Sequence, residues 1–218
     1  MLLTPLKKHR STDPAVADLL NYAAVVDDGV IVCKNGSFMA AWVYEGDDNA
    51  SSTEGQREMV SSRINQALAG LGSGWMIHVD ATRRSAPGYS AVGHSHFPDP
   101  VTMAIDEERR RYFERMGTLF EGYFVLTATY FPPLLAQAKF VELMFDDESE
   151  APDHKARTHA LINNFKREIE GMESRLNTVL KMHRLKSVKV ETEDGRKVSY
   201  DEFLSWLQFC ITGIHHPI

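Results

Sequence analysis

Val30-Ile31-Val32-Cys33-Lys34-Asn35-Gly36-Ser37-Phe38-Met39-Ala40-Ala41-Trp42-Val43-Tyr44 decides the fold. Two apolar, β-rich runs flank Lys34 to Ser37, and Asn-Gly accepts the positive φ values of a type I′ turn that matches strand twist. The stretch is therefore expected to be a β-hairpin. Just downstream, Thr53 and Gln56 form a capping-box pattern before a helix with Val60, Ile64, Ala67, Leu68 and Leu71 on one face. Gly70, Gly72 and Gly74 should end it. Trp75 to Thr82 alternates apolar and polar except at Met76, as a strand with one wet face would. A loop of about 18 residues follows, long enough to be functional, and Pro98-Asp99-Pro100 then leads into a charged helix through Asp106 to Met116. Tyr123 to Phe131 is nearly continuous apolar and β-branched sequence, stopped by Pro132-Pro133, which suits a central strand covered on both faces.

Farther out, a short helix is expected around Ala138 to Phe145, followed by the acidic run Asp146 to Glu150. From about Asp153 to Met182 the pattern is helical. Ile162, Phe165, Ile169, Met172, Leu176 and Val179 recur three and four residues apart and form a narrow seam that either packs in the core or meets a partner helix. A short hairpin turning at Asp194-Gly195 and a helix from Tyr200 to Thr212 complete the pattern. The expected fold is α+β, a mixed β-sheet built from hairpins and a central strand and covered by helices, including one long amphipathic helix. Residues 1–16 read as a polar arm, 17–150 as an α/β subdomain, and 151–218 as a helical segment with a short hairpin and terminal helix, packed on the first as one unit.

The chain has 218 residues, 30 acidic against 24 basic, and a formal net charge of −6. Counterion release from a polyanion therefore cannot be assumed as a general source of affinity, and nucleic-acid binding would need a local basic patch. Cys33 and Cys210 lack CxxC spacing, so neither a disulfide framework nor a zinc site is indicated, and both read as buried thiols. Leu19 to Val26, interrupted by Asn21, is far shorter than the roughly 20 residues that cross a bilayer. Lys7 to Arg10 is not followed by an apolar secretory region.

Several residues invite a chemical reading. His94 and His96, with Asp99 nearby, are the best metal-ligand candidates, although histidines in a polar loop more often face water. His78 and Asp80 share a strand face and invite comparison with an oriented catalytic base, but a solvated face gives the same alternation. The glycines from Gly70 to Gly74 follow a helix and precede a strand, the reverse of the order that aims a helix dipole at phosphate. Arg83-Arg84 and Arg109-Arg110-Arg111 are the basic clusters. Asp106-Glu107-Glu108 directly precedes the second, which favours ion pairing along the helix over a phosphate track. Leu2, Leu3 and Leu6 in the arm are candidates for contact with a membrane partner.

Six stretches carry a resemblance through their order and spacing: Asp18 to Tyr22 with Val32 to Phe38, Gly70 to Trp75, Asp106 to Arg109, Leu126 to Pro133, and Phe209 to Gly213. Together they resemble the amino-terminal domain of the TrbE/CagE family, the large cytoplasmic ATPases of type IV secretion and conjugal transfer systems. The resemblance covers nearly the whole chain, and its motifs are structural rather than catalytic. It implies a carboxy-terminal motor with Walker motifs, where ATP and magnesium would bind. No G-x-x-x-x-G-K-[ST] occurs in this sequence, which is most simply reconciled as a fragment of such a protein, with no cofactor of its own. The implied role is assembly and scaffolding, seating the motor at the inner-membrane complex. The implied partners are the motor and a small inner-membrane component, with self-association left open and nucleic acid not expected. The implied location is cytoplasmic, peripheral to the bacterial inner membrane. Two rival readings are a nucleic-acid adaptor using the arginine clusters and a small metal-dependent hydrolase using His94 and His96.

Overall fold

A computed structural model describes residues 15–47, 50–133, 152–191, 195 and 197–218; the side chains of Ala17 and of residues 152–158 lie outside the description. A single turn of helix, α1 (Val16–Leu19), leads into β1 (Tyr22–Asp27), β2 (Val30–Cys33) and β3 (Phe38–Gly46). Then come α2 (Glu54–Ala69), β4 (Trp75–Ser85), a short 3-10 turn at Val92–His94, α3 (Pro100–Met116) and β5 (Phe120–Tyr130). The long helix α4 (Pro152–Leu176) precedes β6 (Leu180–Arg184), β7 (Ser187–Glu191), β8 (Lys197–Asp201) and α5 (Glu202–Thr212).

The fold is α+β. Strands run in the order β1-β2-β3-β5-β4, and β6 joins the β2 side of β3 beyond the end of β2, making a six-stranded sheet. Every strand pair described is antiparallel, where a mixed sheet was expected. The reason lies in the connections: β1, β2 and β3 follow one another through tight turns, which can join only antiparallel neighbours.

The quoted stretch is the hairpin β2-β3, but its turn is not type I′. Gly36 N–H donates to the Cys33 carbonyl at 2.9 Å, Cys33 N–H donates to the Ser37 carbonyl at 2.8 Å, and only Gly36 has positive φ, at 79°. This is a type I turn closed by a left-handed glycine, the usual three-residue solution. Strand β1 was not anticipated. Its signal was Asp28-Gly29, a tight link to β2 in which Gly29 has a φ of 67° and an added Cβ would meet the Leu185 carbonyl at 2.6 Å.

Along β2 and β3 alternate side chains enter two different cores. Val30, Val32, Phe38, Ala40 and Trp42 face α2 and α4, joined by Leu126 and Ala128 of β5. Ile31, Cys33, Met39, Ala41 and Val125 face Leu185 and the α5 residues Phe203, Trp206 and Leu207. The run Tyr123 to Phe131 is central in strand order, but only Val125 to Thr129 is buried, so the two-sided cover reaches that part of it, as it does Phe38 to Trp42 of β3.

The seam belongs to the first core. Ile162, Phe165, Ile169, Met172 and Leu176 are all buried against the sheet. Phe165 stacks on Phe38 and Trp75, each with centroids 5.6 Å away. The indole N–H of Trp42 donates to Glu173 at 2.9 Å, and Lys166 reaches Asp27 at 2.7 Å, so polar contacts fix the helix register on the sheet. Val179 and Met182, read as helical, lie beyond the helix. The chain turns at Asn177, whose side chain accepts the Met182 N–H, and continues as β6. The expected helix around Ala138, the acidic run Asp146 to Glu150, and Asp194 lie outside the described residues, whereas the β7-β8 hairpin forms with Gly195 at a φ of 73°. Tyr200 is in β8, and the last helix starts later because Asp201 caps it through bonds from the Phe203 and Leu204 amides.

Truncating Ile169 and Leu176 together to alanine should strongly destabilise the isolated chain, since each buried aliphatic-to-alanine change costs roughly 2–5 kcal/mol. Thermal melting followed by circular dichroism tests this; a melting temperature close to that of the wild type would mean that the seam does not carry the core.

Candidate functional site

Strands β4 and β5 run on past the core as a two-stranded ribbon that carries the loop 86–99 and α3. The side-chain contacts that fix α3 are with its own loop. Asp99 caps it by accepting the Thr102 N–H at 3.0 Å, and Pro100 occupies the first turn, where its missing N–H costs nothing.

One buried polar cluster holds the loop to the helix. The Asp106 carboxylate accepts the Tyr89 hydroxyl at 2.6 Å and the Arg110 guanidinium at 2.7 Å. Arg110 also donates to the Ser90 carbonyl and to Ser95 Oγ, and Tyr89 stacks on Phe113. The Tyr89 hydrogen bond, helped by Ser95 and Arg110 against the effect of burial, holds the Asp106 carboxyl below the usual carboxylate range and raises the Tyr89 hydroxyl. All these groups are spent on one another, which makes the cluster a clasp rather than a reaction centre.

The metal candidates do not converge. His94 and His96 are exposed, Asp99 is occupied as a helix cap, and no group of three ligand-type side chains among the described residues is placed to hold an ion. His78 and Asp80 line a cavity of about 250 Å³ with Tyr22, Cys33, Thr127 and Cys210. Burial raises the Tyr22 hydroxyl and both thiols, so this cavity holds no activated nucleophile. Cys33 is buried as expected, but Cys210 is largely exposed where it lines this cavity from the end of α5.

The arginines are largely engaged. Arg84 pairs with Glu121 at 2.6 Å and lies over Tyr123, while Arg83 lies over Phe120. Arg111 pairs with Glu107 and Glu108, the helix-surface pairing expected from the sequence. Leu2, Leu3 and Leu6 lie outside the described residues.

Beside its exposed charged residues, α3 carries an exposed apolar stripe. Val101, Ile105, Tyr112 and Met116 are each about half or more exposed, and at 100° per residue they fall within an arc of about 60°. Sequence reading looked for charge on this helix and passed over the stripe. The spacing of four, seven and four residues was its signal.

The clasp has a pH dependence. A carboxyl whose folded pKa is lowered contributes stability above its unfolded pKa and loses it as pH falls through the folded value. Asp106→Asn should therefore speed amide exchange in loop 86–99 at neutral pH while sparing the sheet. The wild type should loosen there only below the ordinary carboxylate range. Equal exchange in the two proteins at neutral pH would remove the clasp.

Comparison with known proteins adds the family. Residues 29–138 match the family model described as "Type IV secretion system ATPase VirB4/TrbE, N-terminal domain". The chain is 37% identical to "Conjugal transfer protein TrbE" of Rhizobium radiobacter over 99% of its own length and 26% of that protein's. It is 45% identical to a chain of Sinorhizobium fredii (strain NBRC 101917 / NGR234) named as the first part of a "Probable conjugal transfer protein TrbE", over 60% of this chain and 87% of that one. The chain thus spans about a quarter of the Rhizobium radiobacter relative, and no helix among the described residues is long and apolar enough to cross a membrane. The chain belongs to the VirB4/TrbE family of type IV secretion ATPases and corresponds to its N-terminal domain.

Proposed function

We propose that this chain is an assembly domain: it seats a conjugal-transfer ATPase motor at the inner-membrane complex, works at the cytoplasmic face of that membrane, and carries no ATPase activity itself. ATP and magnesium belong to the motor, which alone would hold the phosphate loop. The observation that carries the reading is the projecting α3, whose buried face is closed by the Asp106 clasp while its outer stripe stays apolar and exposed. A helix held rigidly away from the core with an apolar stripe suits helix-in-groove contact with another protein. The small inner-membrane component is the partner proposed for it.

Neither rival gains comparable support. Four of the five arginines that would serve a nucleic-acid adaptor, Arg83, Arg84, Arg110 and Arg111, are paired or stacked within the domain, and the histidines that would serve a hydrolase do not share a site among the described residues.

Two measurements test the proposal. Purified chain should release no phosphate from ATP with magnesium above buffer background, because none of its segments offers a phosphate loop, a magnesium-binding hydroxyl and an acidic partner together. Turnover that follows the protein peak through repurification would overturn this. Ile105→Glu with Tyr112→Glu should leave the melting temperature nearly unchanged, since the stripe is outside both cores, yet lower recovery of the small membrane component in co-purification at least tenfold. Undiminished recovery would remove α3 as the contact.

A further inference from the structure

The geometry points to a strand-addition site at the free edge of β8, which we infer receives the polypeptide that follows the position of Ile218 in longer members of the family. Strands β7 and β8 form a sheet of only two strands, and two strands alone are marginal in water. Register pairs Ser187 with Asp201 and Glu191 with Lys197, which leaves the other edge of β8 without a strand among the described residues. One backbone bond already reaches that edge. After α5 the chain reverses, and the Ile218 carbonyl accepts the N–H of Asp201, the last residue of β8, at 2.6 Å. The Ile218 N–H donates to Ser205 Oγ at 3.0 Å, and the His215 ring stacks on Phe209 with centroids 4.0 Å apart, so the reversal is held at both ends.

Direction follows from this contact. The segment from Gly213 to Ile218 runs back along α5 toward the end of β8, so residues beyond it would continue antiparallel to β8. Backbone groups alternate between the two edges of a strand, which puts the N–H and C=O of Ser199 and Lys197 on the same edge as the Asp201 N–H. Space is available beside them. A cavity of about 1030 Å³ is lined by Val43, Tyr123, Leu185, Val190, Val198 and Trp206, among others, and the cross-strand pair Val190 and Val198 is 41% and 48% exposed. Arg84, His183 and Glu202 also line it, so the occupant is an extended segment that is apolar at the alternate positions facing Val190 and Val198.

The relatives supply its source. This chain matches 26% of the Rhizobium radiobacter protein and corresponds to an amino-terminal domain, so most of that protein's remaining polypeptide follows the position of Ile218. The inference rests on the reading that this domain works together with that remainder, but it does not depend on the membrane contact assigned to α3.

The test is a comparison of the chain with a version extended after Ile218 by the twelve residues that follow the equivalent position in the Rhizobium radiobacter protein. Amide exchange at Ser199 and Lys197 should slow at least tenfold in the extended protein. Placing proline at every second added position, which removes donors from the new strand, should abolish the slowing. Unchanged exchange at both residues, slowing that survives the prolines, or slowing confined to the exposed edge of β4 would each overturn the proposal. The readout is independent of membrane-component recovery by the α3 variants, so failure of one leaves the other standing.

Discussion

Five consecutive residues of β3, Phe38 to Trp42, are buried, and a strand buried without interruption has no wet face. The rest of the structure answers that constraint. One face needs α2 and α4, and the other needs Leu185 and α5, so both covers are obligatory and one of them is drawn entirely from the last third of the chain. Phe165 shows how tightly the first cover is specified, because its ring meets Phe38, Trp75 and Tyr130 at once. The charge-assisted bond from Trp42 to Glu173 then satisfies the one polar atom that burying the indole would otherwise strand.

Much of this was legible in the sequence because it depends on local rules. The Thr53 and Gln56 capping box forms as written, the seam spacing identifies five residues of one core, and Asp99-Pro100 starts α3. The failures occur where a tertiary partner decides. Leu180 to Arg184 continue a helical pattern well enough, but their backbone is claimed by the open half of β3. β1 is partly exposed and poor in apolar alternation, so it exists chiefly because β2 offers it an edge. The type I turn replaces the expected I′ turn because Gly36 alone takes positive φ, and Asn35 uses its side chain to accept from Ser37.

The surface was less legible than the core, for a physical reason. Histidines, aspartates and arginines draw attention in a sequence because they can do chemistry, yet whether they do depends on what faces them. Here Asp106, Arg110 and Tyr89 neutralise one another, Asp99 caps a helix, and Arg84 is shared between Glu121 and Tyr123. An apolar stripe, by contrast, becomes informative only once the structure shows that none of the described residues covers it. Sequence cannot distinguish the Ile162 seam from the Val101 stripe, since both are apolar residues at helical spacing; only placement makes one a core and the other a surface.

The distance between contacting partners also governs the order in which this domain can form. Trp42 and Glu173 are 131 residues apart, and the strand partner of Trp42 in β6 is Arg184. As the chain leaves the ribosome, the β2-β3 hairpin is complete early, but beyond α2 its covers wait until α4 and then α5 have been made. Chain closure over such separations is slow compared with hairpin formation, and an uncovered apolar strand pair is open to wrong pairing in the meantime. Synthesis therefore passes through a long interval in which the most apolar strands of the domain are translated but unprotected. The domain depends on a late-arriving carboxy-terminal third to end that exposure.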